Sequence, residues 1–302
     1  MSVASTTARN VTASTIATGG NKDRNVASLV FLGALWFSLF FGVMVLLALI
    51  IDTLIEGLPR LDSQLFTEYE STIRKDETGF RAGILGSIWL MFVTAIMAIP
   101  LGIAAAIYLE EYADKNHWYN RVIEVNLQNL AAVPAIIYGM LAAAVMGVLG
   151  FTYKGIVLGG AIALALLILP VVIITTREAF RTVPQEIRDG SLALGATVWQ
   201  TTWHNTLPSA VPGIATGTIL GLSRAIGEAA PLIMVGFATV RFDPNGLFDK
   251  ATAMPLQIFN LAGQPHEEFQ QAASAAIILL LAMILLMNGL AIFIRNKFQR
   301  SW

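Results

Sequence analysis

Six stretches of the chain are apolar at nearly every position: Val26 to Leu54, Gly83 to Leu109, Leu127 to Leu149, Gly155 to Thr176, Val211 to about Gly236 and Ala272 to Ile294. Each is near the ~20 residues that an α-helix needs to cross hydrocarbon. The pattern therefore predicts an all-α fold, a polytopic membrane bundle of six transmembrane helices. Pro100, Pro134, Pro170 and Pro212 stand inside four of these stretches. A spanning helix tolerates proline when neighbouring helices satisfy the freed backbone groups. The spans are expected to pack on one another and not to act as separate anchors.

The polar stretches between them differ in kind. Residues Met1 to Asn25 are rich in Ser, Thr, Ala and Gly and lack the apolar core of a cleavable signal. They predict a disordered cytoplasmic tail ahead of a transmembrane domain over 26–302. Ile55 to Ala82 is an acidic loop, and Glu110 to Asn126 mixes charges with Trp118 and Tyr119 as an interfacial segment does. Phe237 to Gln271 contains an apolar patch, Ala253 to Phe259, too short to span. That patch either dips back into protein or forms a covered surface helix. With the amino terminus inside, eleven Lys and Arg fall in the inner pieces, among them Lys22, Lys115, Arg177, Arg181, Arg188 and Arg300. Seven fall outside: Arg60, Arg74, Lys75, Arg81, Lys154, Arg241 and Lys250. This bias predicts a multi-pass membrane protein with both termini in the cytoplasm.

Composition agrees with a lipid-embedded chain. Of 302 residues, 56% are hydrophobic and 13% charged, and the mean hydropathy is +0.67, far from a soluble domain. With no cysteine, disulfides, thiol catalysis and cysteine zinc sites are excluded. His117, His204 and His266 fall in different connectors without metal-ligand spacing, so no metal is expected. A net charge of −1 offers no basic surface for nucleic acid.

Two regions carry candidate chemistry. The connector Arg177 to Ala210 is about 34 residues long, where helix–helix connections usually take about 2–8. Pro184 can open a helix, Glu186 favours its first turn, and Leu192, Leu194, Val198 and Trp199 supply apolar area. Gly195 interrupts that helix, and Pro208 followed by Pro212 is expected to force a stop before the next span. The product is a short helix under the membrane, meeting either a soluble partner or only lipid. In the fifth span, at about 100° per residue with Gly217 at zero, Gly213 lies at about −40°, Gly221 at about +40°, Arg224 at about −20° and Glu228 at about +20°. All five share one face in this reading. Glycines four apart allow close helix approach, and an arginine near mid-span needs a partner or a watery path. Arg224 and Glu228 are either a buried structural pair or a site where a guanidinium fork meets a passing oxyanion.

The spacing Asp189-Gly190-Ser191, three residues, Gly195, nine residues, Asn205, one residue, Leu207-Pro208 resembles the signature of permease subunits of binding-protein-dependent ABC importers, written EAA---G---------I-LP. Asp-Gly-Ser replaces Glu-Ala-Ala, and Asn205 replaces the isoleucine. Ala132 to Gly139, Arg188 to Thr197 and Arg224 to Leu232 are similar to the PstA-type permease family of phosphate-specific importers. The resemblance implies a type I ABC importer permease fold, with a coupling helix in the region of about 184–208 that docks on an ATPase. It implies a heterodimer with a PstC-like permease, two copies of a cytoplasmic PstB-like ATPase that hold the ATP and Mg, and an extracytoplasmic phosphate-binding protein. The resemblance also implies the plasma (inner) membrane of a prokaryote. No cofactor is expected on this chain.

The chain has no G-x-x-x-x-G-K-[ST] motif, and no nucleophile, base and orienter share a helix face. A transport subunit, not an enzyme, is expected. A permease for another oxyanion or a secondary anion transporter are the alternatives; the latter would call for an internal repeat, which is not evident.

Overall fold

A computed structural model describes residues 26–71, 73–74, 77–114 and 117–298. The expected amino-terminal tail, and with it Lys22, Lys75, Asp76, Lys115 and Arg300, lies outside the described residues. The chain divides into two units, one ending at Asp52 and one beginning at Thr53. The described part of the first is the body of α1 (Val26–Gly57), apolar on all sides, as befits a helix surrounded by lipid.

The second unit holds the remaining elements. After α2 (Gln64–Thr67) come α3 (Arg81–Ile107), extended by a π turn over Tyr108–Tyr112, then α4 (Trp118–Ala131) and α5 (Ala135–Val148). Next are α6 (Val157–Arg181), α7 (Gln185–Ala193) and α8 (Val198–Thr201). A second π turn, Thr202–Thr206, leads into α9 (Leu207–Ile226), followed by α10 (Ala230–Val235), α11 (Met254–Ala262) and α12 (Glu267–Phe298).

α6 is the axis of the unit. It packs on α3 along one side and α9 along the other. Leu164, Ile168 and Val172 of α6 share a core with Leu90, Val93 and Ala98 of α3, Ala225 and Ile226 of α9, Leu232 and Leu256. The glycines of α9 explain the fit on that side. A Cβ at Gly213 would stand 2.6 Å from the Ala179 methyl, and one at Gly217 would overlap the Thr175 hydroxyl. Gly221 lies opposite Ile168 and Val172, in the middle of α6. Pro100, Pro170 and Pro212 are carried inside helices, as the packed-bundle expectation requires.

The structure departs from several sequence expectations. Among the described residues, four single helices, α1, α3, α6 and α12, are long and apolar enough to cross a membrane, and a bent pair makes up to five where six were expected. The predicted third span breaks at Pro134: α4 stops at Ala131, and α5 sets off at 110° to it. Proline cannot donate to the ladder and disfavours helix in the residue before it, and here no neighbour carries the helix across. The predicted fifth span breaks too, at residues 227–229 between α9 and α10. Conversely, the stop expected at Pro208 and Pro212 does not occur. α8, the π turn and α9 run on without interruption. Pro208 sits in the first turn of α9, just after wider π bonds have already shifted the i→i−4 ladder, so its missing N–H leaves no gap.

The apolar patch at 253–259 dips into protein. Met254, Leu256 and Leu261 of α11 join Leu65, Phe80 and Ala276 or the central core, and Gln257 is fully buried against Gly83. The loops on either side of α11 and α3 are tied together by Arg81 and Asp243, 2.7 Å apart. Hydrogen bonding to that guanidinium holds the Asp243 carboxyl below its usual range. Nearby, burial pushes Glu70 up, against the opposing bond from Thr239.

Candidate functional site

The connector between α6 and α9 is built as two caps back to back. α7 begins at Pro184, whose extended ψ of 139° sets the helix entry. It closes at Gly195, with φ +86°. The Gly195 N–H donates to the Leu192 carbonyl at 2.9 Å and the Ala196 N–H to that of Ser191 at 3.3 Å, a Schellman closure that favours glycine at the left-handed position. α8 opens at once on a capping box made by Thr197 and Gln200. Asp189 and Gly190 lie on the exposed side of α7, Asp189 accepting from Gln185 at 3.2 Å.

Ser191 turns inward. Its hydroxyl lies 3.0 Å from that of Thr201 and accepts from Asn205 Nδ2 at 3.0 Å. Ser191 and Asn205 are two of the departures from the EAA signature, and they bond to each other. A polar pair stands where the pattern has an alanine and an isoleucine, and the register of α7 on the π turn is kept. Leu207 packs against the cluster of Phe180, Val183 and Ile214. Facing outward are Leu194, 91% exposed, and the stacked pair Trp199 and Trp203, whose ring centroids are 5.4 Å apart.

Beside α7 lies an ionic cluster that the sequence reading did not assemble. Glu110 on the π turn after α3 meets Arg177 Nε at 3.3 Å and Arg181 Nε at 3.1 Å. Glu124 on α4 accepts from the same two arginines at 2.9 and 3.4 Å. Glu111 meets Arg188 of α7 at 2.9 Å. The signal available in sequence was two adjacent acids closing an apolar span and arginines at 177 and 181, one helical turn apart. Nothing local said that they meet.

The second candidate region lies farther along α9. From Leu207 to Arg224 is about 25 Å at 1.5 Å per residue, so the two sets of residues stand at different depths. Arg224, three positions past the Gly221 contact with mid-α6, occupies the last turn of α9, where a cation is favoured by the helix dipole. Glu228 lies beyond the helix end, in the break, so the single continuous face expected for all five residues stops at Ile226. The two are still neighbours: Arg224 Nε lies 3.5 Å from Glu228 Oε1, with side chains 42% and 26% exposed. Nη1 and Nη2 of Arg224 make no hydrogen bond among the described residues. Gly217 and Gly221 are buried, packed on α6 within the chain, while Arg224, farther along the same helix, is exposed.

Two sequence motifs meet here. Gly139 of α5 lies against Pro231 so closely that a Cβ would collide with the Pro231 carbonyl. The segments Ala132 to Gly139 and Arg224 to Leu232 thus form one feature, a helix pair holding the break in place. A polar seam missed in sequence joins α9 to α12: Ser223 donates to Asn288 at 2.6 Å, and Arg295 to the Thr216 hydroxyl at 2.9 Å.

Comparison with known proteins supplies the context. Residues 98–300 match the sequence profile of the family described as binding-protein-dependent transport system inner membrane component. The chain is 32% identical over 262 residues to the phosphate transport system permease protein PstA of Yersinia pestis, covering 86% of this chain and 88% of that one. To the PstA protein of Mycobacterium leprae it is 36% identical over 220 residues, covering 71% and 69%. Its fold is similar to a chain of a bacterial alginate ABC transporter, with TM-score 0.67 at 14% identity, covering 91% of this chain and 96% of that one. A chain of the MetNI methionine ABC transporter gives a TM-score of 0.58 at 17% identity, covering 73% and 95%.

Proposed function

We propose that this chain, which belongs to the family of binding-protein-dependent transport system inner membrane components, carries phosphate or a closely similar tetrahedral oxyanion. It is a multi-pass membrane permease subunit of an ABC transporter and not a catalyst. In this reading it forms half of the translocation pathway beside a second, PstC-like permease. A phosphate-binding protein delivers the solute from outside, and two copies of a PstB-like ATPase bind ATP and Mg and dock on α7. Counting the α4–α5 and α9–α10 pairs as broken spans makes six crossings, which leaves both termini on one side of the membrane.

One observation carries the solute assignment: Arg224 stands in the last turn of α9, beside the helix break at 227–229, with both terminal guanidinium nitrogens open among the described residues. Irregular backbone at membrane depth is tolerated where it meets protein or lines a watery cavity. A planar multi-donor fork suits an oxyanion. Glu228, at one long contact, offsets the charge enough to let an anion leave. Reconstitution in liposomes with the second permease, the ATPase and the binding protein should give ATP-dependent uptake of labelled phosphate in preference to sulfate or molybdate. Uptake driven by an ion gradient without ATP would mean a secondary transporter and sink this reading.

The orientation has its own test, simplified by the absence of cysteine. Leu194→Cys is better suited than a cysteine at Ser191, whose hydroxyl is engaged. In intact cells Leu194→Cys should resist an impermeant thiol reagent, while Ser63→Cys on the opposite loop should react. Reversed labelling would invert the topology.

A further inference from the structure

α7 has no core of its own. It buries none of its residues, and a cavity of about 420 Å³, lined by Glu110, Glu111, Arg181, Gln185, Arg188 and Leu192 among others, opens beside it. Its place is held by polar bonds, and Arg188 makes most of them. Arg188 donates to the Val183 carbonyl at 3.1 Å and the Phe180 carbonyl at 2.8 Å. These fasten α7 to the end of α6, its neighbour along the chain. The same guanidinium donates through Nε at 3.2 Å and Nη2 at 2.9 Å to Glu111 Oε1. Glu111 belongs to a different span, 77 positions away in sequence.

We propose that Glu111, on the π turn that ends α3, is the positioning residue that passes movement of the coupling segment α7 into the α3 span through Arg188. Along the chain, α7 can pull only on α6 and, through Gly195 and α8, on α9. α3 is reached only across space. The Glu111 and Arg188 side chains are 8% and 13% exposed, so the pair is screened far less than a surface ion pair and its parting would leave a buried charge alone. The wider π turn suits this use. It sets Glu110 and Glu111 side by side yet aims them at different arginines, Glu110 at Arg177 and Arg181 of α6 and Glu111 at Arg188 of α7. The Glu110 set keeps α3 registered on α6, while the Glu111 bond brings α7 to the same turn.

The proposal rests on reading α7 as the ATPase-docking segment, and the test separates the two. In the complete transporter in liposomes, the quantity to measure is phosphate imported per ATP hydrolysed. Glu111→Gln keeps the size and an acceptor oxygen, and leaves the two carbonyl bonds of Arg188 intact. The ATPase should stay bound, and the transport ratio should fall about five-fold, within the range that residues along a coupling path command. Glu111→Asp should fall between that variant and the parent. A loss of packing alone would reduce uptake and hydrolysis together and leave the ratio unchanged. An assembled Glu111→Gln complex with the parent ratio overturns the proposal. Should that variant fail to assemble, the pair Glu111→Cys/Arg188→Cys decides: bridging the two thiols with a short bifunctional reagent should restore the ratio, and a bridged complex that remains uncoupled overturns it. Gly195→Val, measured alongside, reports on docking itself; if it keeps its ATPase, the docking reading fails independently.

Discussion

Arg224→Gln in the assembled transporter is expected to lower phosphate uptake about 10- to 100-fold, the worth of one charge-assisted hydrogen bond at about 1.5–3 kcal/mol, while the complex still forms. The geometry makes assembly tolerant. The Arg224–Glu228 contact is a single long one at 3.5 Å between partly exposed groups, and such pairs contribute little to stability. Glu228→Gln leaves the guanidinium unneutralised and should slow turnover with assembly retained. The double variant Arg224→Gln/Glu228→Gln is decisive. If the two residues serve only each other, removing both charges leaves no unpaired group and uptake should recover. If Arg224 serves the anion, the double variant stays inactive. Near-normal uptake by an intact double variant would falsify the solute contact.

Gly195→Val should strip the ATPase from the complex, whereas Gly195→Asn should largely spare it. The reason lies in the backbone. At φ +86° no atom stands within 4 Å of where a Cβ would be, so space is not the constraint. A left-handed conformation costs an ordinary residue about 1–2 kcal/mol; it is a severe outlier for a β-branched one, while Asn enters that region readily. Valine would open the Schellman closure and re-aim Leu194 and α8, with the exposed Trp199, relative to α7. Gly190 makes the contrast. It sits inside α7 with nothing within 4 Å of a Cβ, so Gly190→Ala should strengthen the helix by about 1 kcal/mol and keep the ATPase. Co-purification of the solubilised complex reads all three. Retention of the ATPase by Gly195→Val would remove the docking assignment from this turn.

Much of the architecture was legible because it is written in local chemistry. α1, α3, α6 and α12 follow from apolar length, since a helix must satisfy its own backbone in lipid. α7 and its end follow from Pro184 and Gly195, whose permitted φ values belong to the residues themselves. Close approach along Gly213, Gly217 and Gly221 follows from spacing, because three missing side chains on one face leave room for another backbone.

Packing decided the rest. Pro134 breaks a helix and Pro212 does not, although both sit in apolar stretches. A proline removes one donor in either case, and whether the chain bends depends on which neighbours meet the freed carbonyl and on the turn before it. The Thr202–Thr206 π turn, which carries α8 into α9, has no sequence signature of its own. Glu110 and Glu111 read as interfacial charges until α3, α6 and α7 are set side by side; partners 67 and 77 positions apart are chosen by helix register. The helical wheel placed Glu228 with Arg224 on a face that ends at Ile226, since periodicity assumes a helix and cannot say where one stops. Sequence determined which segments form long apolar helices and where the turn after α7 favours glycine. Only tertiary structure decided which segments break and which charges face one another, because an ion pair or a broken helix is stable or not according to what stands across from it.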